Sequence, residues 1–406
     1  MPEQRSAIVI GAGVVGMATC YALSRRGWMV TLLDAANAPA AGASHANGAQ
    51  LSYCYTDALA SPAVLRSIPA MLAGKGGLQL SPSMDPGFAS WLMRFMRNCT
   101  AKRFRQNTRA ALQLAHESRD AMEALLAKHN VKFGHRIAGK RHLYFSQEEF
   151  ENAQQSIKLK QDFACEQQIH SAQETLAAEP SLQSSGEDIA GSILTPTEAV
   201  GDPLLFSKSL LRLLLAEYCM TVRFEANVER IDCYDTGAQT TLQSGEILDS
   251  DLVVVCGGSS SNRLLRPLGA AQPILPMKGY SFEMPLSPTS PHCSITDTKR
   301  RIVFTNLGDR MRVAGLADLG NADTSIDPEK IEFLISDAQQ SLAGAGDYSR
   351  AGQFWAGLRP MSPNSLPVIA QPRAALAINV GHGMLGWTMA MGSGERLARL
   401  VSSPPA

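Results

Sequence analysis

Among the residues able to do chemistry, Arg359 has the most informative setting. It lies in Trp355-Ala356-Gly357-Leu358-Arg359-Pro360-Met361, a guanidinium between apolar residues, shortly before a glycine-rich stretch. A guanidinium removed from water needs an anion, and its planar fork of donors matches a carboxylate. Two readings stay open on this segment alone: a clamp on the carboxylate of a small substrate, or an internal ion pair with an Asp or Glu. Metal chemistry has less support. The eight cysteines include no C-x-x-C pair, and His45, His142 and His382 are isolated along the chain. No histidine, cysteine and carboxylate grouping has ligand spacing, so no metal is expected. His116 and His129 read as polar positions around a helix over Asn107 to Lys128.

A second chemical segment opens the chain. Ala7-Ile8-Val9-Ile10 suits a buried parallel strand and runs straight into Gly11-Ala12-Gly13-Val14-Val15-Gly16. In this G-x-G-x-x-G pattern Gly11 permits the tight turn, Gly13 lets backbone N–H groups approach a pyrophosphate, and Gly16 lets helix and strand pack closely. The phosphates then face a helix N-terminus, whose unpaired N–H groups and dipole favour negative charge. The surroundings complete the unit. Val14 to Arg26 reads as a helix ended by Gly27, Met29 to Leu33 as the second strand, and Asp34 closes it 18 residues after Gly16. The Asp34 carboxylate suits a ribose diol and repels a 2′-phosphate, so a dinucleotide without that phosphate is expected.

FAD and NAD share the adenosine and pyrophosphate half, so downstream segments must separate them. Gly42 to Gln50 supplies small and hydrogen-bonding residues, with Ser44, His45, Asn47, Gly48 and Gln50, then Leu51, assigned to the cofactor. Near the other end, Gly381 to Thr388 precedes a helix to Val401, and Gly383, Met384, Leu385, Gly386, Trp387 and Thr388 are assigned likewise. Nucleotide-contacting segments at both extremes of one chain favour a flavin. Two further strands, Val222 to Ile231 with Val228 and Leu252 to Cys256 running into Gly257 and Gly258, fit the same nucleotide-binding sheet.

The positioning elements predict an α/β protein: a Rossmann-type FAD-binding domain with an interleaved α+β substrate domain built on an antiparallel sheet. Residues 1–57, 168–272 and 355–406 are assigned to the first domain, and 58–167 and 273–354 to the second. After Pro273 the short alternating stretches Tyr280 to Met284, Arg301 to Thr305 and Met311 to Ala314 predict the substrate wall. Phe88 to Cys99 reads as a buried helix with a charged outer side. The 37 basic and 37 acidic residues balance, so no net field recruits nucleic acid. The thiols read as reduced, pointing to a reducing compartment. Ala7 to Ala18 after Arg5 imitates a signal peptide, but the nucleotide motif accounts for it better. No stretch reaches the roughly 18 apolar residues of a membrane span.

These segments together resemble the D-amino-acid dehydrogenases, within the flavoprotein group that includes D-amino-acid oxidase, glycine oxidase and sarcosine oxidase. The likeness covers nearly the whole chain: G-A-G-V-V-G at Gly11, S-H-A-N-G-A-Q-L-S at Ser44, M-R-N-C at Met96, P-M-K-G-Y-S at Pro276, F-W-A-G-L-R-P-M at Phe354 and G-H-G-M-L-G-W-T-M-A at Gly381. The resemblance implies noncovalent FAD, a carboxylate clamp at Arg359, substrate-facing Tyr55 and Tyr280, and flavin contacts at Lys278, Gly357 and Arg359. No cysteine lies between Gly357 and Met361, where some relatives tether their flavin. The chain departs from the family at Ser52-Tyr53-Cys54-Tyr55, where Ser-Pro-Gly-Tyr is usual, and at Ala314-Gly315-Leu316-Ala317-Asp318, where Gly-Gly-x-Ala-Glu is usual.

The implied reaction is hydride transfer from substrate Cα to flavin N5, giving an imino acid that water hydrolyses to a 2-oxo acid and ammonia. A quinone-type acceptor would take the electrons, and the location implied is cytoplasmic, with peripheral attachment at the inner membrane face through Trp91 to Arg105. The alternatives are a same-fold enzyme of a cyclic or N-alkyl amino acid (D-hydroxyproline, sarcosine or glycine), and a noncatalytic FAD-binding subunit of a larger assembly.

Overall fold

The computed structural model describes residues 5–65, 78–81, 86–160, 163, 165–183 and 188–402. The β-branched run at the start forms the strand Ser6–Ile10, inside a six-stranded sheet. Across that sheet the order is Thr221–Arg223, Met29–Leu33, Ser6–Ile10, Leu252–Val255, Leu376–Val380 and Val368–Arg373. All neighbours are parallel except the last pair. The helices Val14–Ser24, Pro203–Glu217 and Gly386–Ser402 pack through a shared apolar core containing Met17, Leu23, Phe206, Leu210 and Leu397. Leu210 thus belongs to a core helix, and among the described residues no helix is long and apolar enough to cross a membrane.

The expected single strand from Val222 to Ile231 is divided. Thr221–Arg223 ends the parallel sheet, and Val228–Tyr234 starts a separate three-stranded antiparallel sheet. Between them Glu225 adopts a left-handed φ of 55°. Its N–H and that of Ala226 donate to the carbonyls of Ala36 and Asp34, so the turn is tied to the end of the second strand. Alternating residues alone could not reveal a break made by a local left-handed residue.

The second large layer is nine-stranded. Its order runs Gly352–Met361, Leu275–Met284, Met311–Leu319, Ile302–Asn306, Ser294–Asp297, Lys140–Tyr144, Gly191–Thr195 and Gln168–Ser171, with Leu78–Leu80 beside Met311–Leu319. Most neighbours are antiparallel, as expected for the substrate wall. Two pairings are parallel: Ser294–Asp297 with Lys140–Tyr144, and Leu78–Leu80 with Met311–Leu319. Gln168–Ser171 and Gly191–Thr195 also join here, although residues 168–272 were assigned to the nucleotide-binding half. Strands this short carry no signal of which sheet they will enter.

Cross-strand partners share a face of a sheet. Trp355, Ser281, Ala314, Val303, Thr296 and His142 pair successively, forming one row over six strands. Arg359 leaves the same face, opposite Met277. The loop after the second nucleotide strand lies over this face: Ser281 Oγ donates to Ala46 O at 2.6 Å and Thr305 Oγ1 to Gly48 O at 2.7 Å. The helix Pro328–Ser341 covers the other face, where Tyr280, Phe282, Leu316 and Leu334 form a core. Phe88 to Cys99 behaves as a core helix: within Pro86–Asn98, Trp91 and Phe95 are buried and Trp91 Nε1 donates to Met361 O at 2.8 Å.

Candidate active site

Between the two large sheets lies a cleft of about 690 Å³. Its lining unites segments far apart in sequence: Gly11, Gly13, Val14 and Val15; Asp34; Ser44 and Asn47; Val228; Gly257 and Gly258; Gly357 and Arg359; and Gly383, Met384, Gly386 and Trp387. The glycine turn is shaped for a ligand and for close packing in different places. A Cβ on Gly16 would lie 1.8 Å from Gly11 O, and one on Gly11 2.6 Å from Cys256 O, so these two glycines allow backbone to meet backbone. At Gly13 a Cβ would meet only Ser44 Oγ, at 3.3 Å, beside the cleft. Val14 N–H donates to that same Ser44 Oγ at 3.2 Å. Gly13 itself supplies no side-chain cap, so beyond the Val14 N–H held by Ser44 the first turn is suited to phosphate oxygens. Asp34 accepts from Ala12 N–H at 2.6 Å and Ala36 N–H at 2.8 Å, holding its carboxylate at the strand end where a ribose would lie.

The opposite wall is the strand Gly352–Met361, which among the described residues pairs in its sheet only with Leu275–Met284. Its residues Trp355 to Pro360 all border the cleft. Arg359 crosses to the neighbouring strand, and its guanidinium occupies space that a side chain at 279 would need: a Cβ on Gly279 would sit 2.3 Å from Nη2. The guanidinium donates to Leu316 O at 3.2 Å. Leu316 has a left-handed φ of 55°, in the bulge where two residues oppose Gly279. Such a backbone costs on the order of 1–3 kcal/mol, and here it turns a carbonyl toward Arg359. Among the described residues no carboxylate pairs with Arg359. Burial alone pushes its pKa down to about 10. It is a half-buried cation with one neutral acceptor among the described residues, so the wall is complementary to an anion.

At the C-terminal side Gly381 and Gly383 have φ of 80° and 57°, making the tight entry to the helix Gly386–Ser402. Here His382 donates to or accepts from Ser393 Oγ at 3.0 Å, and burial drives its pKa down to about 3, so the ring is neutral. Cys256 also borders the cleft, but its thiol is pushed up to about 12 by burial and turns toward Thr19 Oγ1 at 3.8 Å.

Several expected site residues stand elsewhere. His45 is exposed in a turn, and Gly16, Gly48, Gln50, Leu51, Lys278, Leu385 and Thr388 are not among the lining residues. Gln50 Nε2 bonds Ser294 Oγ, Leu51 is core, and Thr388 Oγ1 accepts from Ser52 N–H at 3.0 Å. Lys278 and Tyr280 lie on the sheet face opposite Arg359, because side chains alternate along the strand; Lys278 Nζ pairs with Asp323 at 3.0 Å. Tyr280 is thus a core residue rather than a substrate-facing one. Tyr55 stacks on His142 at 3.5 Å between centroids, at the far end of the cross-strand row. Five strand spacings, about 24 Å along the sheet, separate it from the Arg359 strand. The sequence had no signal for Glu198, a buried carboxyl that accepts from both Tyr53 and Cys54 N–H at 2.7 Å and sets this loop. Gly279 was detectable: a glycine inside a strand marks close approach.

Comparison with known proteins matches residues 6–400 to the family described as FAD dependent oxidoreductase. The chain is 37% identical to a protein named D-amino acid dehydrogenase 2 from Ralstonia nicotianae, over 97% of this chain and 96% of that one. It is 33% identical to one named D-amino acid dehydrogenase from Xylella fastidiosa, over 98% and 92%. Among solved structures, glycine oxidase from Bacillus cereus shares the fold with a TM-score of 0.75 at 19% identity, over 98% of this chain and 95% of that one.

Proposed function

This chain belongs to the FAD-dependent oxidoreductases, and from that premise we propose that it oxidatively deaminates free D-amino acids to 2-oxo acids and ammonia. The observation that carries the reading is the half-buried Arg359, with no carboxylate partner among the described residues, on the wall facing the nucleotide turn. The residues present fit the cofactor: the Gly13 cradle, the helix turn that follows it and Asp34 suit the nucleotide half, and the C-terminal glycine turn and the strand Gly352–Met361 suit the ring. When bound, the flavin supplies the acceptor for the hydride of the substrate Cα.

The chain's own residues orient and exclude. Arg359 grips the substrate carboxylate through charge-assisted hydrogen bonds. Trp355, Leu358 and Ile326 supply apolar lining that keeps water from the reacting carbon. The substrate amine sheds its extra proton to solvent before reaction, and the neutral His382 is not needed as a base. Noncovalent attachment is supported by the raised, inward-turned thiol of Cys256. The names of the two relatives support an acceptor other than oxygen, which we take to be a quinone. Exposed Met93 and Met96 beside exposed Arg94 and Arg97 support a peripheral approach to a membrane that holds it.

Anaerobic addition of a D-amino-acid panel to the purified flavoprotein tests the reading. Bleaching of the flavin band by D- but not L-amino acids is expected. Bleaching only by sarcosine, glycine or D-hydroxyproline would replace it with the N-alkyl or cyclic alternative, and no bleaching by any of them would leave a noncatalytic FAD protein.

A further inference from the structure

Away from the cleft, the fold gathers three residues that are distant in sequence. Cys54 follows the strand Gln50–Leu51, His116 lies midway along the helix Ala101–Lys128, and Cys165 precedes the strand Gln168–Ser171. One ligand atom of each, the two sulfurs and an imidazole nitrogen, lie within 4.8 Å of one another. Cys165 Sγ is 3.6 Å from His116 Nε2. In a tetrahedral zinc site, bonds of about 2.3 Å to sulfur and about 2.0–2.1 Å to nitrogen put those two atoms about 3.6 Å apart. The observed separation is already that of two corners of such a site.

We propose that Cys54, His116 and Cys165 form a binding site for a zinc-class divalent cation, with a fourth position open to water. Both cysteines are buried, packed against Leu112 and Phe163, while His116 is half-buried and provides the way in. Two thiolates and a neutral imidazole exactly offset a divalent charge, so the occupied site carries no net charge into its apolar surroundings. The loop end is prepared independently of the metal, because Glu198 Oε1 holds Cys54 N–H at 2.7 Å. Soft sulfur donors with imidazole select zinc over magnesium or calcium. Binding expels the two thiol protons, and no oxidant is consumed. The ion would fasten the loop carrying Tyr55 to the long helix.

The test is Co²⁺ and Zn²⁺ binding to the FAD-loaded protein, kept reduced. Cobalt is expected to give ligand-field bands at wavelengths beyond the flavin spectrum, of tetrahedral intensity, at one ion per chain, and zinc to abolish them. H116A and C165S are each expected to weaken binding at least about tenfold, with the flavin spectrum unchanged. Three results would overturn the site: no ligand-field bands with wild-type protein, bands that persist in C165S, or thiol titration showing Cys54 and Cys165 joined as a disulfide under the same conditions. Because the first and third readings use wild-type protein, a variant that failed to fold would not protect the proposal.

Discussion

Arg312 and Arg359 leave the same face of one sheet, the first buried and the second half-buried, and they are treated in opposite ways. Arg312 is enclosed by carboxylates: its Nη2 lies 2.8 Å from Asp202 and 2.6 Å from Glu283. Among the described residues Arg359 meets only the carbonyl of Leu316, over a glycine that makes room for it. The chain thus contains the internal ion pair that a buried arginine needs, at 312, and omits it at 359. A cation whose compensation is withheld beside a cleft is positioned for an anion that arrives from outside.

Truncating each arginine should separate the two roles. Arg312→Ala leaves Asp202 and Glu283 with Arg310 alone, 2.7 and 2.8 Å away, two carboxylates for one guanidinium, and is expected to cost about 3–5 kcal/mol of stability, read by denaturant unfolding. Arg359→Ala should leave unfolding nearly unchanged yet lower kcat/KM by about 2–5 kcal/mol. If Arg359→Ala instead unfolded the protein with catalysis intact in the folded fraction, the contrast would fail. Gly279→Ala sharpens it further: the added methyl contests the guanidinium, and a loss of about 1–3 kcal/mol in kcat/KM is expected, with flavin content unchanged. Unaltered kinetics would mean that the clamp does not depend on that approach.

The smallest effect is on pH dependence. Activity should climb with pH as the substrate ammonium deprotonates. The lowered pKa of Arg359 adds an upper limit: the guanidinium is charged below about 10 and neutral above it, so kcat/KM should fall as pH rises through that value. In a pH profile, a plateau persisting well above 10 would show that the guanidinium keeps its proton in the free enzyme.

How much was legible follows the range of the interactions. The nucleotide turn was readable because glycine spacing, strand, helix and Asp34 are all local, and the structure sets Gly11, Gly13 and Asp34 around the cleft. Arg359 was readable because a charge between apolar residues is a local anomaly. Tyr280 and Lys278 were misplaced because the quoted motif does not say which face of a strand its alternate residues take, and that depends on register with Gly352–Met361. Cys54, His116 and Cys165 showed no ligand spacing for the same reason: only the packing of a loop on a helix brings them together.

What the amino-acid order determined by itself was a dinucleotide turn at one end and a lone guanidinium near the other, since each rests on neighbours a few residues away. Tertiary structure alone decided that Arg359 has a glycine beneath it and, among the described residues, no acid beside it, while Arg312 has two. Whether a buried charge is neutralised depends on groups brought close by folding, and Coulombic attraction is set by distance in space.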